Sequence, residues 1–226
     1  MAYIVLGASR GLGRSVAERL AARDGTIILS GRSIEALKET EQRIAQASRT
    51  ATTKILTVDL VDEKSIDEFV QRLSELQEPI RAFVNTSAGF YKGSFVDQSL
   101  QSIDELLNTS YVGVVRLISR LIKNVPYSKP FDVINVTSVS AATNLDAGRS
   151  SSLHIATKAA LQTFSVVLGR ELSNAGVRMC AMAPGTFARH GRAGIPEDVI
   201  SDCVDFIIDL PASACVESLV IRPTAV

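Results

Sequence analysis

Short apolar runs alternate with longer amphipathic segments along the whole chain. Seven of these runs are rich in β-branched and aromatic side chains, which is typical of strands buried in a parallel sheet. The predicted strands are Tyr3–Leu6, Thr26–Ser30, Lys54–Val58, Ala82–Asn85, Asp132–Thr137, Val177–Ala183 and Ser218–Ile221.

The segments between these runs carry apolar residues three or four positions apart, the spacing of one helix face. The predicted helices are Leu12–Arg23, Ser33–Ala47, Glu63–Leu76, Leu100–Ile122, Leu153–Asn174 and Glu197–Ile208. Asn174-Ala175-Gly176 is a typical stop signal for the fifth of them. Strict alternation of strand and helix predicts parallel pairing with right-handed crossovers. We therefore expect one α/β domain over residues 1–226, a doubly wound sheet of about seven parallel strands with helices on both faces.

Composition and charge narrow the class of protein. The chain has 226 residues, 46% of them hydrophobic, which is enough to bury one large core. Its 24 basic and 24 acidic side chains cancel, so no overall field attracts nucleic acid or an anionic membrane. The three cysteines, Cys180, Cys203 and Cys215, lack metal-ligand spacing, which predicts reduced thiols and no metal site. Because a strand begins at Tyr3 and no apolar run approaches about 20 residues, we expect a cytoplasmic protein.

A glycine-rich turn joins the first predicted strand to the first predicted helix. It has the pattern G-x-x-x-G-x-G, which meets the dinucleotide-binding pattern G-x-G-x-x-G only in part, since Val16 stands three positions after Gly13. Glycines let the backbone turn tightly and let a pyrophosphate approach main-chain N–H groups at a helix N-terminus. This position in a doubly wound chain favours a phosphate-binding turn, with a purely structural turn as the alternative. The predicted contacts are Gly7, Ser9, Arg10, Gly11, Leu12 and Gly13.

The end of the second predicted strand indicates which dinucleotide is bound. An acidic residue there would bind a ribose 2′-hydroxyl, but this strand ends Ser30-Gly31-Arg32-Ser33 without a carboxylate. Arg32, helped by Arg10 in the turn, can pair with a 2′-phosphate through charge-assisted hydrogen bonds. The sequence therefore predicts NADP(H) rather than NAD(H), and a solvated surface arginine is the alternative.

Four further motifs follow the turn in a fixed order. Asp59 follows the third strand, Ala88-Gly89 the fourth, Asn135-Val136-Thr137-Ser138 the fifth and Pro184-Gly185 the sixth. In this order they make the chain resemble the short-chain dehydrogenase/reductase family over essentially its whole length. The resemblance implies a single Rossmann domain that binds a nicotinamide cofactor and a small-molecule substrate.

The same resemblance implies the roles of particular residues. Asp59, with Leu60 beside it, would face the adenine; Ser87, Ala88 and Gly89 would line the cofactor; Lys158 would hold it; and Pro184 and Gly185 would flank the nicotinamide. Family members associate through two long helices, here Leu100–Ile122 and Leu153–Asn174, which implies a homodimer or homotetramer. The apolar side chains expected at that interface are Leu107, Val114, Val115, Leu161 and Phe164.

The catalytic set departs from the family pattern. The family pairs a serine after the fifth strand with Tyr-x-x-x-Lys on the next helix and an asparagine on the preceding one. Ser138 and Lys158 match, but the tyrosine position, four before the lysine, is His154. The asparagine position is identified as Ser110, with Asn108 nearby as the alternative. The family's Asn-Asn-Ala-Gly is altered as well, and an atypical Ser-His-Lys active site is expected.

Positions 154 and 158 lie on one face of a helix because they are four residues apart. Histidine can carry a proton, as the family's tyrosine does, and its reference pKa of about 6.5 lies near neutral pH. The Lys158 cation disfavours imidazolium, so His154 is expected to act as a base or a neutral hydrogen-bond donor. The alternative is a helix-start residue in a chain that has lost proton transfer.

Two functions remain open at this level. One is an NADP(H)-dependent oxidoreductase that reduces a carbonyl or oxidises an alcohol, in which His154 replaces the tyrosine. The other keeps the cofactor site without ordinary redox chemistry, as a biosynthetic isomerase, dehydratase or cyclase or as an NADP(H)-sensing protein. Tyr91, after the fourth strand, and His190, between Arg189 and Arg192 in a short loop after the sixth, are additional candidates for the substrate pocket. Packing at the surface and a solvated basic loop are their respective alternatives.

Overall fold

The computed structural model of the chain describes residues 1–48, 50–91, 94–143, 151–188 and 193–224. Within these ranges seven strands form one sheet. They are β1 (Ala2–Leu6), β2 (Thr26–Gly31), β3 (Thr52–Thr57), β4 (Ile80–Asn85), β5 (Tyr127–Val136), β6 (Val177–Pro184) and β7 (Ser218–Ile221).

The order of the strands confirms the predicted fold class. The sheet runs β3-β2-β1-β4-β5-β6-β7, and every neighbouring pair is parallel. The chain builds outward in one direction from β1 to β3 and then in the other from β4 to β7. The change of direction lies between β1 and β4, and sheets of this kind bind ligands beyond the carboxyl ends of the strands at that point.

Helices cover both faces of the sheet. They are α1 (Gly11–Leu20), α2 (Ile34–Ala47), α3 (Glu63–Ser74), α4 (Leu100–Leu107), α5 (Gly113–Asn124), α6 (Val139–Thr143), α7 (Ser152–Glu171) and α8 (Glu197–Asp209). Apolar side chains of α1, α2 and α8 form one core cluster with the sheet, and those of α3, α5 and α7 form the other. Alternate residues of β1 enter opposite clusters, which explains why this strand is apolar throughout. No helix in the described ranges combines the length and apolarity that a membrane crossing requires.

The helix predicted over Leu100–Ile122 is interrupted in the structure. A π-helical turn, Asn108–Val112, separates α4 from α5. Gly113, at the start of α5, lies so close to the loop after β3 that an added Cβ would sit 2.2 Å from the Leu60 carbonyl oxygen. The apolar periodicity continues through both helices, and for that reason the sequence did not reveal the break.

The end of α7 agrees with the predicted stop signal. The helix ends at Glu171, and a 3₁₀ turn over Ser173–Ala175 leads to Gly176. Gly176 has a φ of 81°, in the left-handed region that glycine enters without steric cost. The chain then enters β6 directly.

Two of the five side chains expected at a subunit interface belong to the core. Val114 and Leu161 are completely buried, inside the cluster that α5 and α7 form against the sheet. Their place in the interface prediction was therefore wrong. Leu107, Val115 and Phe164 are partly exposed, and the Phe164 ring stands edge-on to that of Tyr111 at 6.3 Å between centroids.

Candidate active site

The glycine turn lies at the carboxyl end of β1, where the change of strand direction places it. Gly7 and Gly11 have φ angles of 89° and 56°, which explains the glycine at each position. Gly13 packs on the turn itself, since an added Cβ would lie 2.1 Å from the Gly7 carbonyl oxygen. Helix α1 begins at Gly11, and its N-cap residue, Arg10, makes no side-chain hydrogen bond to the first turn. The first N–H groups of α1 are therefore uncapped and able to bind an anion.

The end of β2 packs against this turn. Gly7 and Ala8 both donate their N–H groups to the Ser30 carbonyl, at 2.8 and 3.1 Å. Gly31 approaches Ser9 so closely that an added Cβ would lie 2.9 Å from its Oγ. These contacts place Arg32, the next residue, beside the phosphate turn.

Three arginines surround the turn, and they differ in their partners. Arg14 is held by Glu39 at 3.1 Å and by the Ser9 carbonyl at 2.6 Å. Arg10 and Arg32 are exposed, and within the described ranges neither forms an ion pair. The two arginines that the sequence assigned to a 2′-phosphate are thus the two with free guanidinium groups, as an external anion would require.

The loop after β3 contains Asp59 and Leu60, which were both expected near the adenine. The Asp59 carboxylate accepts the Val61 N–H at 3.0 Å, and the Asp59 N–H donates to Ser65 Oγ at 3.0 Å. Leu60 is buried in the core beside α5, so its side chain is not available to a ligand. Leu12, in the phosphate turn, is likewise a core residue. Both can contribute to a ligand site only through the backbone.

The loop after β4 is held against the phosphate turn by Thr86. Its hydroxyl donates to the Leu6 carbonyl at 2.8 Å. A Cβ at Gly7 or Gly13 would lie within 2.6 Å of the same hydroxyl oxygen, so both glycines are needed for this approach. Ala88, farther along the loop, is exposed, whereas Gly89 is partly buried. The two loops that flank the change of strand direction therefore form one packed unit.

A buried chain of polar side chains crosses the middle of the sheet, and the sequence alone did not predict it. Asn85 Nδ2 donates to Asn135 Oδ1 at 3.0 Å, and Asn135 Nδ2 donates to Ser165 Oγ at 3.0 Å. Asn85 Oδ1 in turn accepts both the N–H and the hydroxyl of Ser87, at 3.0 and 2.6 Å. The chain thus joins β4, β5 and α7 and fixes the backbone at Ser87. The asparagines Asn85 and Asn135 at the ends of two buried strands were the available signal, because buried polar groups need partners.

Lys158 is buried at the centre of this arrangement. Its Nζ donates to the Val136 carbonyl at 2.7 Å and to the Ser87 carbonyl at 3.1 Å, which joins the ends of β4 and β5. Burial lowers the pKa of Lys158 to about 8. An ammonium has three N–H donors, and within the described ranges the third has no protein acceptor. One donor is therefore left for a ligand.

His154 lies one turn before Lys158, as the spacing predicted. Its backbone N–H donates to Ser151 Oγ, the N-cap of α7, at 3.3 Å. The imidazole is half-buried, forms a hydrogen bond with the backbone of Gly89 and has its ring centroid 5.5 Å from that of Phe90. Burial, followed by the charge of Lys158, lowers the pKa of His154, so the neutral imidazole prevails at neutral pH. Its Nδ1 is buried without a hydrogen-bond partner among the described residues.

The two candidates for the asparagine position have different environments. Ser110 is completely buried in the π-helical turn, and its Oγ accepts the Gly89 N–H at 2.8 Å. Asn108 donates to the Asp104 carbonyl of its own helix, at 2.8 Å. Ser110 is therefore the residue that contacts the predicted cofactor loop, and it does so from the buried interior. This contact makes it a positioning residue for Gly89.

Ser138 follows β5, where the motif order placed it. Its Oγ accepts the Ser140 N–H at 3.3 Å, and its carbonyl accepts the N–H groups at the start of α6. In the part of the chain that the structure describes, no hydrogen bond joins Ser138 to His154. Ser138 directly precedes α6 and His154 lies in α7, and these two helices contact each other.

The remaining predicted residues follow β4 and β6. Gly185 donates to the Ile221 carbonyl at 2.8 Å, directly after Pro184 ends β6. Tyr91 is buried rather than on the surface, and its hydroxyl finds no partner among the described residues. His190, with Arg189 and Arg192, lies outside the described residues.

Comparison with known proteins identifies the family. The model of the family described as short chain dehydrogenase matches residues 2–198. The chain belongs to the short-chain dehydrogenase family. The matched range includes the phosphate turn and the predicted catalytic positions, and it ends at the start of α8.

Individual relatives are distant but similar over most of their length. An uncharacterized oxidoreductase of Staphylococcus saprophyticus is 26% identical over 182 residues, covering 80% of this chain and 76% of the relative. One of Staphylococcus aureus is 21% identical over 228 residues, covering 97% of this chain and 96% of the relative.

Among solved structures, a metagenomic short-chain oxidoreductase in complex with NADP has a TM-score of 0.83 at 21% identity, covering 100% of this chain and 98% of that one. An alcohol dehydrogenase of Thermococcus sibiricus complexed with 5-hydroxy-NADP has a TM-score of 0.83 at 23% identity, covering 99% and 96%. At these identities the structures establish the fold.

Proposed function

We propose that the protein is an NADP(H)-dependent oxidoreductase that interconverts a carbonyl and an alcohol on a small organic substrate, with His154 in the role of the family's tyrosine. The observation that carries the proposal is the environment of the His154 imidazole. Among the described residues its Nδ1 is buried without a hydrogen-bond partner, and the residue lies one helical turn from Lys158 and beside the loop at Gly89. A buried polar atom without a partner is costly, and a substrate oxygen would satisfy it.

The residues present fit a phosphorylated dinucleotide. The uncapped N-terminus of α1 and the closely packed glycines Gly7 and Gly13 would hold the pyrophosphate. The free guanidinium groups of Arg10 and Arg32 would bind the 2′-phosphate, and the third N–H of Lys158 would bind a ribose hydroxyl. When bound, the nicotinamide supplies or accepts the hydride at the substrate carbon. Two of the similar solved structures contain NADP or 5-hydroxy-NADP, which supports this choice of cofactor.

The chain's own residues would then handle the proton. In alcohol oxidation the neutral imidazole of His154 takes the hydroxyl proton, and in carbonyl reduction the imidazolium returns it to the oxygen. Burial, followed by the charge of Lys158, lowers the pKa of His154 and so favours the form that accepts a proton. Ser138, at the end of β5, would orient the substrate oxygen. The direct test is to follow NADPH absorbance with a panel of aldehydes and ketones, where at least one must be reduced.

A second candidate is a protein that keeps the cofactor site without redox turnover. It is favoured by Ser110, which stands at the family's asparagine position, is completely buried and accepts the Gly89 N–H. Under this alternative the protein binds NADPH but consumes none with any carbonyl, and His154→Tyr does not create activity.

Selectivity for NADPH is expected to depend on Arg32. Each charged contact to the 2′-phosphate contributes about 1.5–3 kcal/mol, so Arg32→Ala should weaken NADPH binding about 10- to 150-fold. NADH binding should be unchanged because NADH lacks this phosphate. Calorimetric titration of both cofactors measures the difference, with Arg72→Ala, an exposed arginine late in α3, as the matched control. Equal affinities for NADPH and NADH in the wild type would contradict the assignment.

Association is expected to involve α7. Val167 is 50% exposed on this helix, near the partly exposed Phe164, and an isologous contact would cover both side chains. Light scattering at micromolar concentration should report a dimer or tetramer. Val167→Glu should shift the protein toward monomer because it places a carboxylate in an apolar contact. Gln42→Glu, an exposed change on α2 at the other face of the sheet, controls for the added charge. A wild type that is monomeric at this concentration would rule the prediction out.

A further inference from the structure

The clearest feature outside the machinery described so far is an apolar surface at the mouth of the site. Phe90 directly follows the cofactor loop at Gly89, and its side chain is 71% exposed. Its ring centroid lies 5.5 Å from that of His154, with the planes tilted by 59°. An aromatic ring that is exposed to water on one side thus contacts the proposed proton carrier on the other.

Further apolar side chains are exposed along the same connection between β4 and α4. Phe95, Val96 and Leu100 are 49%, 83% and 81% exposed. Four of the eleven exposed large apolar side chains in the described ranges therefore fall within residues 90–100. Single exposed apolar residues are ordinary, but a concentration in one short segment indicates a binding surface. We call Phe90, Phe95, Val96 and Leu100 the apolar rim.

The location of the apolar rim favours a substrate as its occupant. The segment begins at the carboxyl end of β4, next to the change of strand direction where ligands bind in this fold. Its first residue, Phe90, contacts His154, so the rim begins at the proposed reaction centre. The inner end of the site is polar, with Lys158 and Ser138, whereas the outer end is apolar. Such a gradient fits a molecule with one polar reactive group and an apolar body.

We propose that the substrate is a ketone or aldehyde whose carbonyl is attached to an aromatic or other bulky apolar group, and that this group packs on Phe90 and the apolar rim. The inference rests on the proposed function, because it takes His154 as the partner of the carbonyl oxygen. Reduction adds a hydride to the carbonyl carbon and a proton to its oxygen, and NADPH becomes NADP⁺. The apolar group takes no part in this exchange and contributes binding.

The test compares two ketones that differ in their bodies, acetophenone and dihydroxyacetone. In the wild type, kcat/KM for acetophenone should be at least tenfold higher. Phe90→Ala should lower kcat/KM for acetophenone by about tenfold or more, since burial of an aromatic face is lost, and should change that for dihydroxyacetone by less than about twofold. Phe206→Ala is the matched control. Phe206 lies late in α8 and is 59% exposed. This end of α8 is at the opposite edge of the sheet from the site, because the nearby Ile208 carbonyl accepts a hydrogen bond from Arg81 at the amino end of β4.

A binding measurement separates failure of this inference from failure of the proposed function. The NADP⁺-loaded protein cannot reduce a ketone, so calorimetry with acetophenone reports recognition alone. If neither ketone is reduced but acetophenone binds the wild type and not Phe90→Ala, redox function is lost and apolar recognition is supported. If both ketones are reduced equally well, the proposed function stands and the inference is overturned. It is also overturned if Phe90→Ala dissociates a dimer in light scattering without altering the preference between the two ketones, because the rim is then a contact with a second copy.

Discussion

Replacing Lys158 by methionine is expected to remove a rise in stability that the wild type shows at alkaline pH. Lys158 has a pKa of about 8 in the folded protein, against 10.5 for an unperturbed lysine. Between these two pH values the unfolded chain keeps a proton that the folded chain has released, so the free energy of unfolding increases with pH. The gain amounts to roughly 3 kcal/mol by pH 10.5. Below pH 8 both states are protonated, and this contribution is absent.

The comparison with the variant is essential because other groups titrate in the same range. Burial raises the pKa of Cys180 to about 12, so its ionisation in the unfolded chain lowers stability as the pH rises above 9. This effect opposes that of Lys158 in the wild type and is common to both proteins. The difference between wild type and Lys158→Met, from urea unfolding of the cofactor-free protein at pH 7 and at pH 10, isolates the lysine. A difference that is the same at both pH values would show that Lys158 keeps an ordinary pKa.

The buried lysine illustrates what the sequence could and could not predict. Its position four residues after His154 predicted that both would lie on one face of α7, which the structure confirms. The order of motifs did not indicate that Lys158 donates to the carbonyls of Ser87 and Val136. These acceptors are backbone atoms, and backbone atoms carry no signal in the sequence. Lys158 therefore holds the ends of β4 and β5 together with two N–H groups, and we expect its third N–H to bind the cofactor.

The fold was more predictable than the arrangement of helices around the site. All seven strands were predicted from short apolar runs, since strands buried on both faces, such as β1, are apolar throughout. The break between α4 and α5 was missed since apolar spacing continues across the π-helical turn. Its causes are local contacts of Gly113 with the Leu60 carbonyl and of Ser110 with Gly89. Such contacts depend on which loops meet, and that is determined by the assembled sheet.

The assignment of Val114 and Leu161 to a subunit interface was wrong for a related reason. Apolar residues at the positions of Val114 and Leu161 are expected both at a subunit interface and in a core. The structure buries both side chains completely in the core cluster that α5 and α7 form against one face of the sheet. Apolar periodicity reports that a helix has a buried face, but it does not report whether the sheet or a partner covers it.

Replacing His154 by alanine is expected to lower the catalytic rate about 10²- to 10⁴-fold, the contribution of a positioned general acid or base. NADPH binding should change little, because the phosphate turn and Arg32 lie on other loops. Thr163→Ala, an exposed change on the same helix, should leave the rate intact and thus control for damage to α7. Steady-state rates combined with calorimetric NADPH titration measure both quantities. Turnover of a true substrate by His154→Ala at the wild-type rate would exclude the proton-carrier role.

The pH dependence of the rate gives a second and more specific readout of His154. Burial and the charge of Lys158 lower the pKa of His154 below its usual 6.5. In alcohol oxidation kcat/KM should be level at neutral pH and decline only as the pH falls through this lowered pKa, because the neutral imidazole accepts the proton. In carbonyl reduction kcat/KM should decline as the pH rises through the same pKa, because the imidazolium is the donor. His154→Tyr restores the family's group, whose ordinary pKa is about 10, and should move both transitions to alkaline pH while retaining activity. Profiles that coincide for wild type and His154→Tyr would mean that another group, with Tyr91 as the first candidate, carries the proton.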